Sequence, residues 1–182
     1  MNKPPYQVNL VIQYEGGLAV RVERIEEAVS WVLAHEGVAP GAELSVVLSD
    51  DKTLHELNLR YRGIDRPTDV LSFAADRNGT PEGEPAYLGD LILSIPTIER
   101  QAQDEQHTVE DGVLLAVVHG TLHLLGYDHD TADSQEVMWA VQAEALAALN
   151  VAVDVPRFSF DDTLSDEATS GSDSDGGTGE CV

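Results

Sequence analysis

Cysteine is nearly absent from this 182-residue chain. The one residue, Cys181, stands next to the end, so no intrachain disulfide can form and nothing in the fold depends on an oxidising compartment. Basic side chains are scarce as well. Ten Lys and Arg face 33 Asp and Glu, a formal charge of −23, which disfavours a nucleic-acid binder with a broad cationic face because phosphate would meet a repulsive field. Long apolar runs are missing. The longest, Val113 to Val118, falls far short of the ~20 residues needed to cross a bilayer. The opening MNKPPYQ lacks the apolar stretch of a signal peptide. A soluble, cytoplasmic protein with no membrane partner is the expectation.

What is present suits a folded domain. A hydrophobic content of 42% is ordinary for a globular protein, and a chain of this length can bury roughly 70% of its unfolded surface. The last 22 residues differ: DDTLSDEATSGSDSDGGTGECV carries seven acids and no base. Such a segment buries too little apolar surface to offset chain ordering. Residues 1–160 are therefore expected to form one domain, and 161–182 a disordered acidic tail acting as a solubilising extension.

Within the body, Val8, Leu10, Ile12 and Tyr14 alternate at period two and predict a strand over 7–14. Val22, Ile25, Val29, Val32 and Leu33 recur at helical spacing, and Gly37 with Pro40 closes that helix. Leu44, Val46 and Leu48 make a second strand. Asp50 or Asp51 caps a short helix whose apolar face is expected to carry Leu54, Leu57 and Tyr61. Two more strands are read at 69–74 and 88–95, separated by a Gly/Pro/Glu loop. Helices follow near 97–106, 109–125 and 133–149, the second opened by a capping box from Thr108 to Asp111. This is a single α+β (or α/β) domain of about four strands and five helices.

Chemistry concentrates at residues 119–129, HGTLHLLGYDH. His119 and His123 are four apart on a predicted helix, so their imidazoles project from one face about a turn apart and can reach one metal at ~2.0–2.1 Å. Gly126 can end the helix in a left-handed conformation, bringing His129 round as a third ligand. Three imidazoles without a thiolate suit Zn²⁺, although nickel, copper or iron also fit. A structural zinc site is normally closed by four protein ligands. Three leave a position for water or substrate, so the site reads as catalytic.

The spacing H-x₃-H-x₅-H is also that of the metzincin proteases, whose general base is a glutamate directly after the first histidine. Here that residue is Gly120, which can neither take nor give a proton. The resemblance becomes specific with two further blocks, LNLRYRGIDRPTDVLSF at 57–73 and LGDLILS at 88–94. In this order, the three blocks resemble the YbeY family of bacterial endoribonucleases over most of residues 40–150. The resemblance implies a mixed sheet of about four strands packed with helices, with the metal at the edge of a cleft at the end of a central helix. It implies a zinc-dependent, single-strand-specific endoribonuclease acting in ribosomal RNA maturation, including the 3′ end of 16S rRNA, and in ribosome quality control. By position it implies one zinc per chain on His119, His123 and His129, and a functional arginine at Arg62. Single-stranded RNA, rRNA and the small ribosomal subunit with its proteins are the implied partners, with no role for DNA. Ala74 stands where the family commonly has proline.

Lys52, Arg60, Arg62 and Arg66 fall within fifteen positions and can form a local patch for a phosphodiester. For Lys52, Arg60 and Arg66, surface pairing with Asp50, Asp51, Glu56 or Asp65 is the expected role; the resemblance assigns function to Arg62. Asp128 and Asp130 can orient His129 or serve the turn, and Ser72 can line the cleft or occupy the polar side of an edge strand. His35, His55 and His107 are expected at the surface, and Trp31 and Trp139 in the core or at its rim. Two rival readings are a zinc peptidase or amidase, and a non-catalytic ribosome-assembly factor whose zinc orders the loop.

Overall fold

The computed structural model describes residues 5–76 and 85–153. The disordered tail expected at 161–182 lies outside them. Nine elements follow in the order β1 (Gln7–Ile12), α1 (Val22–His35), β2 (Glu43–Ser49), α2 (Asp51–Arg62), β3 (Val70–Ala74), β4 (Tyr87–Ser94), α3 (Ile95–Glu105), α4 (Val109–Leu124) and α5 (Ala132–Ala148). The four strands make one mixed sheet in the order β1-β2-β4-β3. The first three are parallel, and β3 runs antiparallel to β4 at the edge. The α+β domain of about four strands and five helices read from the sequence is the one observed.

Alternation along the strands sends Leu44, Val46 and Leu48 of β2 and Leu91 and Leu93 of β4 into the main core. There they meet Ile25, Val29, Val32 and Leu33 of α1, the residues whose helical spacing marked that helix. Helix α4 is the axis of the molecule. Every residue from Gly112 to Leu122 is buried, which is the behaviour of a helix packed on all sides. On β3 the register pairs Leu71 with Ile92 and Ser72 with Leu91, so Ser72 shares a sheet face with Leu91 and Leu71 lies on the other, where α2 packs against β3 and β4.

Caps set the helix starts. Asp50, not Asp51, caps α2 by accepting from Thr53 N at 2.9 Å. Its neighbour Asp51 instead accepts from Ser94 Oγ, Thr97 Oγ1 and Arg100 Nη1 at 2.5, 2.7 and 2.8 Å, tying the start of α2 to that of α3. Burial raises the Asp51 pKa, but the hydrogen bonds from Arg100, Ser94 and Thr97 outweigh it and bring the group down to about 2. Thr108 caps α4 through Asp111 N at 3.0 Å. The reciprocal capping box occurs at α5 instead, between Thr131 and Ser134.

Two expectations are corrected. The buried face of α2 consists of Leu54 and Asn58, while Tyr61 is 58% exposed. The polar Asn58 is buried because its Nδ2 donates to the Arg66 carbonyl at 2.8 Å, securing the loop that leads into β3. His107 is not a surface residue: its side chain is only 6% exposed and pairs with Glu105 at 3.2 Å.

Candidate metal centre

Helix α4 ends where the chemistry begins. Its carbonyls at Thr121 and Leu122 accept from Leu125 N, and Gly126 N donates to His123 O at 3.0 Å. Gly126 itself adopts φ +97°, the left-handed turn expected from the sequence. That turn swings residues 127–130 back beside the last helical turn. His119, His123 and His129 consequently offer ligand atoms that all lie within 4.8 Å of one another.

Each of the first two rings is held by an acceptor behind it. His119 is 4% exposed, and its Nδ1 faces Gln142 Oε1 of α5 at 3.0 Å. The Nδ1 of His123 faces the Tyr127 carbonyl at 2.9 Å. An imidazole that donates from Nδ1 keeps a lone pair on Nε2, and the two Nε2 atoms stand 3.0 Å apart. Tetrahedral zinc at ~2.0–2.1 Å would hold two such nitrogens about 3.3 Å apart, so the donors fit the metal with little movement.

Electrostatics favour the neutral form of His119 and His123, the form a ligand needs. Burial, then the charges of His123 and His129, and finally that of Arg62 push His119 down to about 3, against the Gln142 hydrogen bond. His123 is lowered by burial first, then by His129, with Arg62 again adding to the effect. Arg62 is the last residue of α2, and its charge reaches the histidines from a different element. Gly63, at φ +73°, closes α2 immediately after it. Among the described residues no hydrogen bond or ion pair engages the Arg62 guanidinium.

Of the other basic residues, Lys52 makes one of the expected acidic pairings, whereas Arg60 meets a ring instead of an acid. Lys52 lies 4.0 Å from Glu56, and Arg60 rests over the Tyr61 ring at 5.4 Å. Asp65 pairs with His55 at 2.6 Å. Asp128 accepts from the His129 amide at 2.6 Å, serving the turn, and that bond leads the forces lowering its pKa.

Gly120 explains the missing glutamate. A Cβ there would stand 2.8 Å from Leu91 Cδ2 and 3.1 Å from Ser72 Oγ, because α4 lies directly against β4 and β3 at this point. The position faces the sheet, and a side chain there would have to displace the end of Leu91. Ser72 is thereby placed against the histidine-bearing helix. Sequence reasoning missed Gln142 and Glu36. Gln142 lies in the stretch 133–149, for which the sequence predicts a helix and no chemistry. Glu36 Oε2 accepts from the Tyr127 hydroxyl at 2.8 Å, and no local pattern announces a pairing across 91 positions.

In Asp69, within the PTDVLSF block, burial pushes the carboxyl up while it accepts from Val70 N at 2.9 Å and Thr68 Oγ1 at 3.1 Å. Its carbonyl accepts from Ser94 N at 2.8 Å. That motif residue holds β3 to the end of β4.

Known proteins are similar to this chain in sequence and fold. The Endoribonuclease YbeY family model matches residues 15–150. The Endoribonuclease YbeY of Moorella thermoacetica is 48% identical over 126 residues, covering 65% of this chain and 80% of that protein. That of Geobacillus thermodenitrificans is 40% identical over 148 residues, covering 77% and 94%. The solution structure of TM1509 from Thermotoga maritima has the same fold, with a TM-score of 0.52 at 26% identity, covering 79% of this chain and 91% of that one. With the match running from before α1 to the end of α5, the chain belongs to the Endoribonuclease YbeY family.

Proposed function

We propose that this protein is a zinc-dependent endoribonuclease specific for single-stranded RNA. Its place of action is ribosomal RNA processing, at the 3′ end of 16S rRNA, and ribosome quality control, with the small ribosomal subunit as partner. The observation that carries the reading is the convergence of three imidazoles within 4.8 Å under the charge of Arg62, in a member of an endoribonuclease family.

His119, His123 and His129 would hold one Zn²⁺, their nitrogen donors and the lack of thiolate matching that ion's preference with one position left for water or substrate. When bound, zinc supplies Lewis acidity toward a phosphate oxygen and lowers the pKa of a water to about 7. The chain's own residues do the rest. The Arg62 guanidinium can grip two oxygens of one phosphate and supplies a local cation in a chain of −23. Helix α4 and the Gly126 turn hold the ligands on a rigid frame. Residues 1–160 carry the activity, and 161–182 are an acidic extension.

The peptidase reading loses its general base, since position 120 is glycine, which can neither take nor give a proton. Among the described residues no helix is long and apolar enough to cross a membrane; we place the protein in the cytoplasm. The test is to assay one zinc-replete preparation on single-stranded RNA and on unstructured peptides, with His123→Ala beside it. RNA cleavage in wild type alone, with stoichiometric zinc lost from the variant, is the expected result. Peptide cleavage, RNA binding without turnover, or full zinc occupancy in His123→Ala would overturn the reading.

A further inference from the structure

Gln142 is the most anomalous residue in the core. It lies on the buried face of α5 between Met138, Ala145 and Leu146 and is 0% exposed. Its Oε1 meets His119 Nδ1 at 3.0 Å, but among the described residues its Nε2 has no acceptor. A buried amide with an unmatched donor is destabilising, and an apolar side chain of similar volume would pack there without that cost. The amide is therefore explained by its oxygen.

An amide oxygen only accepts. With Oε1 toward the ring, the proton of neutral His119 must sit on Nδ1, leaving Nε2 bare. The Tyr127 carbonyl imposes the same choice on His123. Two bare Nε2 atoms then face each other at 3.0 Å with no proton between them, an arrangement that favours a cation. If the amide were reversed, Nε2 of Gln142 would donate to His119 Nδ1. His119 would then carry its proton on Nε2, where it blocks a metal. Amide orientation and metal competence are thus one question.

We propose that Gln142 is a positioning residue of the metal centre, fixing His119 in the Nδ1–H tautomer so that Nε2 is free to ligate. The proposal rests on the reading of the three histidines as a metal site. An amide does this without adding charge, so the site orients its ligand while staying neutral; a carboxylate would orient it equally but with a negative charge behind the ring.

The experiment uses the full chain as wild type, Gln142→Met and Gln142→Glu. Three quantities are read: the imidazole ¹⁵N shifts of the metal-free protein, the zinc dissociation constant against a chromogenic chelator, and the metal-free melting midpoint. We expect His119 as the Nδ1–H tautomer in wild type and zinc affinity about 10–100-fold weaker in Gln142→Met. Affinity returns in Gln142→Glu, which can still accept from Nδ1. The metal-free midpoint of Gln142→Met stays within a few degrees of wild type, which a purely structural role would not allow alongside the loss of zinc. A His119 Nε2–H tautomer in wild type would overturn the proposal. So would wild-type zinc affinity in Gln142→Met, and that result would leave the metal reading intact. A wild type that binds no zinc sinks the metal reading and this proposal together.

Discussion

Tyr127 and Glu36 join the two ends of the histidine cluster's support. The tyrosine hydroxyl donates to Glu36 Oε2 at 2.8 Å, while the carbonyl of the same tyrosine accepts from His123 Nδ1 at 2.9 Å. The residue after the Gly126 turn is thereby anchored to the end of α1 and in turn holds the His123 ring. Tyr127→Phe keeps the ring and removes the donor. It should lower the metal-free melting midpoint by roughly 2–4 °C, as expected for about 1 kcal/mol in a domain of this size. Amide exchange over residues 126–130 should become faster. Unchanged exchange in that loop would show that the Glu36 contact does not hold it.

Arg62 carries the nuclease reading outside the histidines. Arg62→Ala should keep the fold and the zinc yet lose ~2–4 kcal/mol of transition-state stabilisation, roughly thirty- to a thousandfold in rate. Arg62→Lys should recover only part, because lysine cannot grip two phosphate oxygens in one plane. Single-turnover cleavage of a single-stranded RNA is the measurement. Equal rates in wild type and Arg62→Ala would remove the residue from the mechanism.

Asp51 predicts an acid limb of stability. Its pKa is about 2 in the fold against an ordinary 3.8, so between those values the unfolded chain binds the proton first. The stabilisation is complete above about pH 4 and disappears as pH falls through about 2. The side chain is 34% exposed, and after allowance for solvent screening the contribution is ~1 kcal/mol. Urea unfolding of wild type and Asp51→Asn should differ by about that amount at pH 6 and converge near pH 2. A gap that stayed constant with pH would assign the effect to packing.

Deletion of residues 161–182 should change neither melting midpoint nor RNA cleavage rate. The segment holds seven of the chain's acids and almost no apolar surface, so its removal costs little buried area. A midpoint several degrees lower, or lost activity, would show that the tail belongs to the working protein.

Local patterns determined much of this molecule. Alternating Leu44, Val46 and Leu48 and the helical spacing of Ile25, Val29 and Val32 located their elements, because period reports which side meets the core. The histidine cluster was legible for the same reason: His119 and His123 are one helical turn apart, and Gly126 marks the turn that returns His129. Tertiary structure decided what depends on distant partners. Asn58 is buried because the Arg66 carbonyl waits for it. Leu57 was expected on the buried face of α2 and is only half-buried, because the bearing of α2 on the sheet sets that face. His107 lost its exposure to packing beside Gly112. Gly120 looked like a lost base until α4 was seen to lie on Ser72 and Leu91. Gln142 reaches His119 across 23 positions and Glu36 reaches Tyr127 across 91. Periodicity is a property of neighbours along the chain, whereas a hydrogen bond between elements exists only once the sheet order and helix packing have set their separation.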